Sequence, residues 1–277
     1  MNIMEKKLEE AASHLTEGCV LVHSDLYEAR FFIQDTVFER NKYLDNYVTL
    51  LEKNMSQNLA FPVFNYEFCR KGCIDLRKNP SQVGPLGEFL RQKPDYFRSW
   101  DPVFSVVSKI QFPSVNQNRI IAFGEGSIFK YLYDYNGNVF LYGAKLSHAT
   151  ILHLVELKSI PLYRYDKKFF GILTDMQGKE RPIEYLYHAR PWKMNLDYHW
   201  ERLEKALQEA NILKCIEHDG LVIARYFRAK DMVDFLVKKM SEDPYFLLND
   251  ASRQWAEPMI KKLGRRLLLS DFEKVTA

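Results

Sequence analysis

The chain has 277 residues and a net charge of +3, with 47% hydrophobic and 27% charged residues. These proportions are typical of a folded globular protein and exclude an intrinsically disordered chain. The basic residues alternate with acidic ones and form no dominant block, so composition favours no nucleic-acid partner. Because no stretch of about 18 apolar residues occurs, we expect neither a transmembrane helix nor a membrane partner.

The first half of the chain predicts alternating helices and strands. Helical spacing of apolar residues runs over 2–15 and returns over 36–56. The apolar runs at 19–23 and 59–68 predict strands, and Pro62 indicates an edge or irregular position in the second of them. Residues 69–104, rich in Gly, Pro and Arg, predict a long functional loop with one short helix near 86–92.

The second half continues the alternation. Residues 105–123 predict strand and turn, a helix opens at Ser127, and Asn136-Gly137 predicts the turn before a buried strand at 139–142. A helix is predicted at 148–158 and antiparallel strands over 161–190. Further helices are predicted at 197–210 and 230–242.

This order of elements predicts an α/β or α+β fold. We expect a three-layer α/β/α sandwich with a central mixed sheet and an antiparallel C-terminal section. We find no internal repeat or linker and predict one domain over 1–277, with an N-terminal helix at 1–16 and a C-terminal tail at 251–277. An apolar stripe among the basic residues of 259–270 predicts packing on the body or on a dimer partner, so we expect a monomer or a homodimer.

The four cysteines are sparse, and the charged N-terminal helix does not look like a secretory signal. We therefore expect a cytoplasmic protein with reduced thiols. Cys69 and Cys73 lack a second pair at zinc-ligand spacing, so they predict core thiols, and no metal is expected. The other two cysteines are Cys19 and Cys215.

The segment at 148–158 carries the most chemical information. Its helix is apolar over most of its circumference, whereas Thr150, His153 and Glu156 share the remaining arc. His153 and Glu156 are three residues apart and therefore adjacent on one face. A carboxylate fixes the tautomer of a neighbouring imidazole and raises its basicity, so the pair predicts a general base with its orienting group.

Two alternatives remain for this pair. H-x-x-E is short and common, and the pair would then be a packing or surface contact without chemistry. A metal site through His148 is disfavoured because five residues place it about 140° around the helix from His153.

Several separated segments resemble those of one known family, the aminoglycoside 3-N-acetyltransferases. The resemblance covers roughly residues 15–160 and continues weakly to 243–248. It rests on VLVHSDL at 20–26, FPVFNYEF at 61–68, NPSQVGPLGEFLRQKPDYFRSWDPVFSV at 79–106, FGEGSIFKYL at 123–132 and VFLYGAKLSHATILHLVE at 139–156. The last segment resembles the family's T-x-x-H-x-x-E signature.

The resemblance implies acetyl transfer from acetyl-CoA to a small-molecule amine in a ternary complex. His153 would take the amine proton, Glu156 would orient His153, and Thr150 would contact the thioester end or the developing oxyanion. The rival functions are a CoA-binding protein without turnover and a hydrolase, for which no G-x-S-x-G motif is present.

The resemblance also implies the residues that hold coenzyme A. They come from the strand end at 23–24, from the long loop and from the Gly-rich turn, and each has an alternative as a turn, an ion pair or a helix cap. These candidates are His23, Ser24, Ser81, Gly84, Arg91, Arg98, Ser99 and Ser127.

Three positions depart from the family pattern. Asp101 stands at a His position, Asp25 at a Ser position and Ile128 at a Pro position. These departures leave the predicted base intact but put the acceptor in doubt. The chain is basic, and aromatic and basic residues crowd 130–135, 163–168 and 185–200. Core and surface packing is one explanation of these segments. The other is a cleft for an anionic, stacked acceptor such as a nucleotide-linked amino sugar, which we slightly prefer to a polycationic aminoglycoside as the alternative.

Overall fold

The computed structural model describes residues 3–15, 18–29, 40–55, 58–112, 118–191, 194 and 196–273. Within them lie eleven strands and ten α-helices. The strands are β1 Val20–Ser24, β2 Leu59–Pro62, β3 Cys73–Asp75, β4 Phe97–Arg98, β5 Val106–Ser108, β6 Arg119–Ile121, β7 Asn138–Tyr142, β8 Tyr165–Thr174, β9 Glu180–Ala189, β10 Lys214–His218 and β11 Leu221–Arg228. The helices are α1 Ile3–His14, α2 Leu26–Ala29, α3 Arg40–Asn54, α4 Glu67–Lys71, α5 Pro85–Arg91, α6 Ile128–Asp134, α7 Leu152–Ser159, α8 Trp200–Glu209, α9 Ala229–Glu242 and α10 Asp250–Leu263.

The strands form two mixed sheets. The larger has seven strands in the order β10-β11-β7-β1-β2-β5-β4, and the smaller has four in the order β3-β8-β9-β6. In the larger sheet, β1 pairs in parallel with both β2 and β7, and the outer strands are antiparallel. In the smaller sheet, the long β8 and β9 form an antiparallel pair, flanked by β3 and β6 in parallel pairings.

Alternating side chains of the larger sheet enter two separate cores. Val20 and Val22 of β1 pack into the core that also contains residues of α1, α3 and α5, whereas Leu21 points to the opposite face. On that face lie the apolar residues of α6, α7 and α9 and of the smaller sheet. The period-two alternation of a strand therefore covers both faces of the sheet.

The predicted α/β fold with a mixed sheet is confirmed, and so is the antiparallel pair over 161–190. The antiparallel section forms the separate four-stranded sheet. The predicted strand over 59–68 was too long, because β2 ends at Pro62 and helix α4 begins at Glu67. The predicted long loop contains α5, two short strands and the end of α4. Part of the predicted helix over 36–56 lies outside the described residues.

The predicted tail from 251 is largely helical, since it contains most of α10, and Ile260 and Leu267 are buried in the core. Sequence reasoning passed over β10 and β11 altogether. Among the described residues, none of the helices reaches the length and apolarity needed to cross a bilayer.

One close approach between α5 and β2 gives a stability prediction. A Cβ at Gly87 would lie 2.0 Å from the carbonyl oxygen of Pro62, and backbone atoms cannot move aside cheaply. Gly87→Ala should lower the free energy of unfolding by about 1–3 kcal/mol in a denaturant titration. The control is Gly264→Ala, which has open space around its Cβ but a φ of 65° and should cost about 1 kcal/mol. Equal stability of Gly87→Ala and the parent would contradict the packing.

Candidate active site

Two strand ends bring the candidate residues together. His23 and Ser24 end β1, and the neighbouring parallel strand β7 ends at Tyr142. The chain then turns at Gly143, whose φ is 64°, and passes through a 3₁₀ turn at Leu146–His148 into α7. Because carboxyl ends of parallel strands share one sheet edge, His23 and the start of α7 lie side by side.

His153 and Glu156 make the predicted contact. Nδ1 of His153 lies 3.1 Å from Oε2 of Glu156, across one turn of α7. The Glu156 side chain is 1% exposed, whereas the His153 side chain is 20% exposed. With Nδ1 held by the carboxylate, Nε2 is the nitrogen that remains for a reacting group.

Arg164 is the third charged or titratable residue in contact with this pair, and the sequence analysis did not predict it. Its Nη2 lies 2.5 Å from Oε2 of Glu156, and its side chain is 1% exposed. Nη1 donates to the carbonyl oxygen of His188 at 2.9 Å. The Tyr198 hydroxyl donates to Oε2 of Glu156 at 2.7 Å, and the Tyr163 hydroxyl lies 3.4 Å from Oε1. Tyr163, Arg164 and Tyr198 lie in the aromatic and basic segments 163–168 and 185–200, which the sequence predicts to line the acceptor site.

This environment keeps Glu156 ionised. Burial opposes its charge, but Arg164 and the hydrogen bonds from His153 and Tyr198 outweigh burial and lower the pKa of Glu156 below its ordinary value. A lowered pKa in the folded state stabilises the fold above the ordinary carboxyl pKa. This stabilisation of the folded state is lost when the pH falls through the lowered pKa of Glu156, because the carboxylate then becomes protonated.

The same environment keeps His153 neutral. Burial lowers the pKa of His153 below its ordinary value of 6.5, and the nearby cations Arg164 and Arg190 act in the same direction against the opposing effect of Glu156. An imidazole that is unprotonated at neutral pH can accept a proton, so the site has the properties of a general base.

Aromatic rings surround the imidazole of His153. The Phe123 ring centroid is 4.9 Å away, and that of Tyr198 is 6.4 Å away. Tyr187 lies 6.1 Å from Phe123, and the Arg190 guanidinium lies 4.8 Å from the Tyr198 ring centroid. Phe123 has a φ of 65°, which is an uncommon conformation for a residue with a side chain and fits a constrained site.

A cleft of about 620 Å³ brings four of the predicted residues together. His23 and Ser24 reach it from β1, Gly84 from the turn before α5, and Thr150 from the turn before α7. Thr150 therefore lies in the loop that precedes the helix, one turn from His153. The cleft also contains Phe64, Tyr66 and the residues 25–27, 61–62, 83, 85–87 and 147–148, and so combines apolar walls with polar groups.

His23 is the most unusual residue of this cleft. It is 7% exposed, and its Nε2 has no hydrogen-bond partner among the described residues. Burial, with a smaller effect of His148, lowers the pKa of His23 to about 3, so the ring is neutral. A buried ring nitrogen without a hydrogen-bond partner costs free energy, and a ligand atom in the cleft could be that partner.

The predicted arginines have other partners. Arg91 pairs with Glu88 at 2.6 Å and donates to the carbonyl oxygen of Arg77. Arg98 is buried and donates to the Ser105 hydroxyl and to the carbonyl oxygens of Leu76, Asn79 and Val63. The structure does not bring either guanidinium to the cleft. Arg91 joins two parts of the predicted long loop, whereas Arg98 ties that loop to Val63 and Ser105 of the body.

The remaining predicted serines also have local partners. The Ser81 hydroxyl donates to the carbonyl oxygen of Val83 at 3.1 Å, and the Ser99 hydroxyl accepts from the amide of Val106 at 2.9 Å. Ser127 caps α6 by accepting from the amide of Lys130 at 3.1 Å. None of these serines is among the residues of the cleft.

The departures from the family pattern have structural roles. Asp25 accepts from the amides of Tyr27 and Glu28 and so begins α2. Asp101 is buried and accepts from the amides of residues 103 and 104, and burial raises its pKa to about 6. Ile128 is buried at the start of α6. Among the described residues, no cluster of His, Cys, Asp and Glu side chains could hold a metal ion.

Comparisons with known proteins show the family to which this chain belongs. The family model described as aminoglycoside 3-N-acetyltransferase matches residues 44–241, which is well over half of the chain. The chain belongs to the aminoglycoside 3-N-acetyltransferase family. Its enzyme class is therefore N-acyltransferase, and acetyl-CoA is the co-substrate of the family. No curated protein matches the sequence significantly.

Solved structures share the fold at low sequence identity. AAC-IIIb in a binary complex with CoASH matches with a TM-score of 0.66 and 16% identity, over 86% of this chain and 96% of that one. The YokD protein from Bacillus subtilis matches with a TM-score of 0.63 and 18% identity, over 87% of this chain and 94% of that one. Sisomicin-bound AAC-VIa matches with a TM-score of 0.63 and 15% identity, over 86% of this chain and 97% of that one.

The buried ion pair gives a prediction about stability. Arg164→Met leaves the Glu156 carboxylate buried without its cation and should lower the free energy of unfolding at neutral pH by about 3–5 kcal/mol. Adding Glu156→Gln should restore part of the loss, because the uncompensated charge is removed. Arg119→Met breaks an exposed pair with Glu184 and should change little in the same denaturant titration. A loss no larger than that of Arg119→Met would refute the role of Arg164.

Proposed function

We propose that this chain transfers the acetyl group of acetyl-CoA directly to the primary amine of an anionic amino sugar, of which a nucleotide-linked amino sugar is the preferred example. The observation that carries the proposal is the neutral imidazole of His153, held at Nδ1 by a buried carboxylate and partly exposed to a reacting group. The protein would act as one domain over 1–277 in the cytoplasm.

The proposed reaction uses a single proton acceptor. Nε2 of His153 takes a proton from the attacking amine, and the amine nitrogen forms a bond to the thioester carbonyl carbon. The carbon–sulfur bond then breaks, and coenzyme A leaves and is protonated to the free thiol. Glu156 stabilises the imidazolium that forms. Thr150, one turn before His153, is the candidate contact for the thioester end or its developing oxyanion.

The cleft between β1, α5 and the start of α7 is the proposed site for the pantetheine arm. Its apolar walls suit the methylene groups of the arm, and Ser24, Thr150 and the free Nε2 of His23 can pair with its amides. AAC-IIIb, which shares the fold, has been solved with CoASH. Intact His153 and Glu156 favour turnover over a CoA-binding protein without chemistry.

The charges near His153 support an anionic acceptor. The ionised groups that act on its imidazole are the cations Arg164 and Arg190 and the anion Glu156, and Arg164 already neutralises Glu156. Arg190 is half-buried and stacks on Tyr198, so its guanidinium can meet a phosphate or carboxylate of the acceptor. A polycationic acceptor would meet repulsion at this point.

An aminoglycoside acceptor is the second candidate. Family membership favours it, as do the relatives that were solved with apramycin and sisomicin bound. The two acceptor classes differ in charge, so a screen of amines separates them.

We expect acetyl-CoA with a nucleotide-linked amino sugar to release free thiol, and His153→Gln to reduce kcat/KM by about 100-fold or more. Because the pKa of His153 lies below its ordinary value, the activity should rise with pH through an acid limb below 6.5 and be complete at neutral pH. Thiol release is followed with a disulfide reagent, and His14→Gln, in the N-terminal helix, is the matched control. Turnover of kanamycin-like amines with none of the nucleotide-linked sugars would reject the anionic acceptor. Undiminished turnover by His153→Gln would reject the base.

Arg190 allows a sharper test of acceptor charge. Arg190→Gln should raise KM for the anionic acceptor roughly tenfold and leave KM for acetyl-CoA unchanged, since one charge-assisted hydrogen bond is lost. Arg228→Gln, which removes an exposed arginine paired with Asp231, is the matched control. An unchanged KM for the acceptor in Arg190→Gln would show that this guanidinium does not contact it.

A further inference from the structure

The segment after α10 runs along the residues that lead into β8. The amide of Leu267 donates to the carbonyl oxygen of Leu162 at 2.9 Å, and the Leu267 side chain is fully buried. Further on, Glu273 accepts from the Tyr165 hydroxyl at 2.9 Å and pairs with Lys167. We call residues 265–273 the C-terminal strap, and its contacts line the stretch that contains Arg164.

Arg266 is the strap residue that contacts Arg164. Its Nε donates to the carbonyl oxygen of Arg164 at 2.8 Å, and its two Nη atoms lie 3.1 and 3.0 Å from the carboxylate oxygens of Asp166. Its Nη2 also lies 2.9 Å from Nδ1 of His188. Nδ1 of His188 also lies 2.9 Å from Oδ1 of Asp166. Burial lowers the pKa of His188, so its neutral ring is held between Arg266 and Asp166.

These contacts hold Arg164 from two sides. Arg266 fixes its backbone carbonyl directly. Arg266 also fixes the ring of His188, whose own carbonyl oxygen accepts from Nη1 of Arg164 at 2.9 Å. The guanidinium of Arg164 in turn contacts Glu156, and Glu156 contacts His153. A continuous chain of contacts therefore connects the strap to the base.

We propose that Arg266 is a positioning residue, which sets the proton affinity of His153 by holding Arg164 against Glu156. The inference rests on the proposed role of His153 as the base. Arg164 is the cation that offsets Glu156, so its distance from the carboxylate decides how much negative charge the imidazole experiences.

The sign of the effect follows from the groups that face His153. Glu156 faces the imidazole from its own helix, and Arg164 faces it from the residue before β8. Arg190, directly after β9, is the second cation, and the Tyr198 hydroxyl approaches from the segment before α8. If Arg164 withdraws, a cation leaves, more of the Glu156 charge reaches the imidazole, and water gains access. All three changes favour the protonated ring, so the pKa of His153 should rise.

The test is a histidine-selective NMR titration, which needs no acceptor. The chain contains seven histidines, and the loss of one signal in His153→Gln assigns that of His153. In Arg266→Gln the titration midpoint of His153 should shift to higher pH, and in Arg266→Lys it should shift less. Arg265→Gln is the matched control, because Arg265 is the neighbouring strap residue and pairs with Asp271 instead. Its titration should follow the parent.

An unchanged midpoint in Arg266→Gln, or an equal shift in Arg265→Gln, would overturn the inference. If Arg266→Gln loses its cooperative melting transition, Asp166→Asn replaces it. That variant weakens the bidentate contact without removing Arg266 and should shift the midpoint in the same direction, and no shift would again overturn the inference. The proposed function is judged separately by the turnover of His153→Gln, so failure of one is distinguishable from failure of the other.

Discussion

The buried ion pair between Arg164 and Glu156 is the contact on which the candidate active site depends. Two charges withdrawn from water are costly unless each is paired and hydrogen-bonded. Here the carboxylate is met by a guanidinium, two tyrosine hydroxyls and the imidazole of His153. The partners come from three separate segments of the chain. The cost of leaving any of them unpaired therefore holds α7, the start of β8 and the stretch before α8 in one arrangement.

In that arrangement the two sheets contribute different parts of the candidate site. The larger sheet supplies the cleft, because the ends of its parallel strands β1 and β7 place His23, Ser24 and Thr150 along one edge. The smaller sheet holds the cation that pairs with Glu156, since Arg164 directly precedes β8 and donates to the carbonyl oxygen of His188 in β9. His153 lies one turn after Thr150, which lines the cleft, and contacts Glu156 and Arg164, but it is not itself among the residues of the cleft.

Several residues whose chemistry suits a phosphate are used to build the molecule instead. Arg98 is the strongest case, because its donors are directed at carbonyl oxygens from residues 63, 76 and 79 and at the Ser105 hydroxyl. A loop that packs against the body must satisfy its buried carbonyl groups, and an arginine with five N–H donors can satisfy several at once. Arg190 also donates to a carbonyl oxygen, that of Leu196 at 2.7 Å, and its guanidinium stacks on the Tyr198 ring, where the proposed acceptor contact would form. Residue type alone does not separate these two uses.

The sequence by itself determined the fold class, the helix that carries His153, and the contact between His153 and Glu156. These depend on local periodicity and on neighbours three residues apart, which are already close once a helix forms. Tertiary structure alone decided that Arg164 and Tyr198 contact Glu156, and that Arg266 of the C-terminal strap contacts the carbonyl oxygen of Arg164. It also decided that the predicted arginines of the long loop lie away from the cleft. These contacts join residues far apart in the chain, and no local pattern specifies which distant cation will neutralise a buried carboxylate.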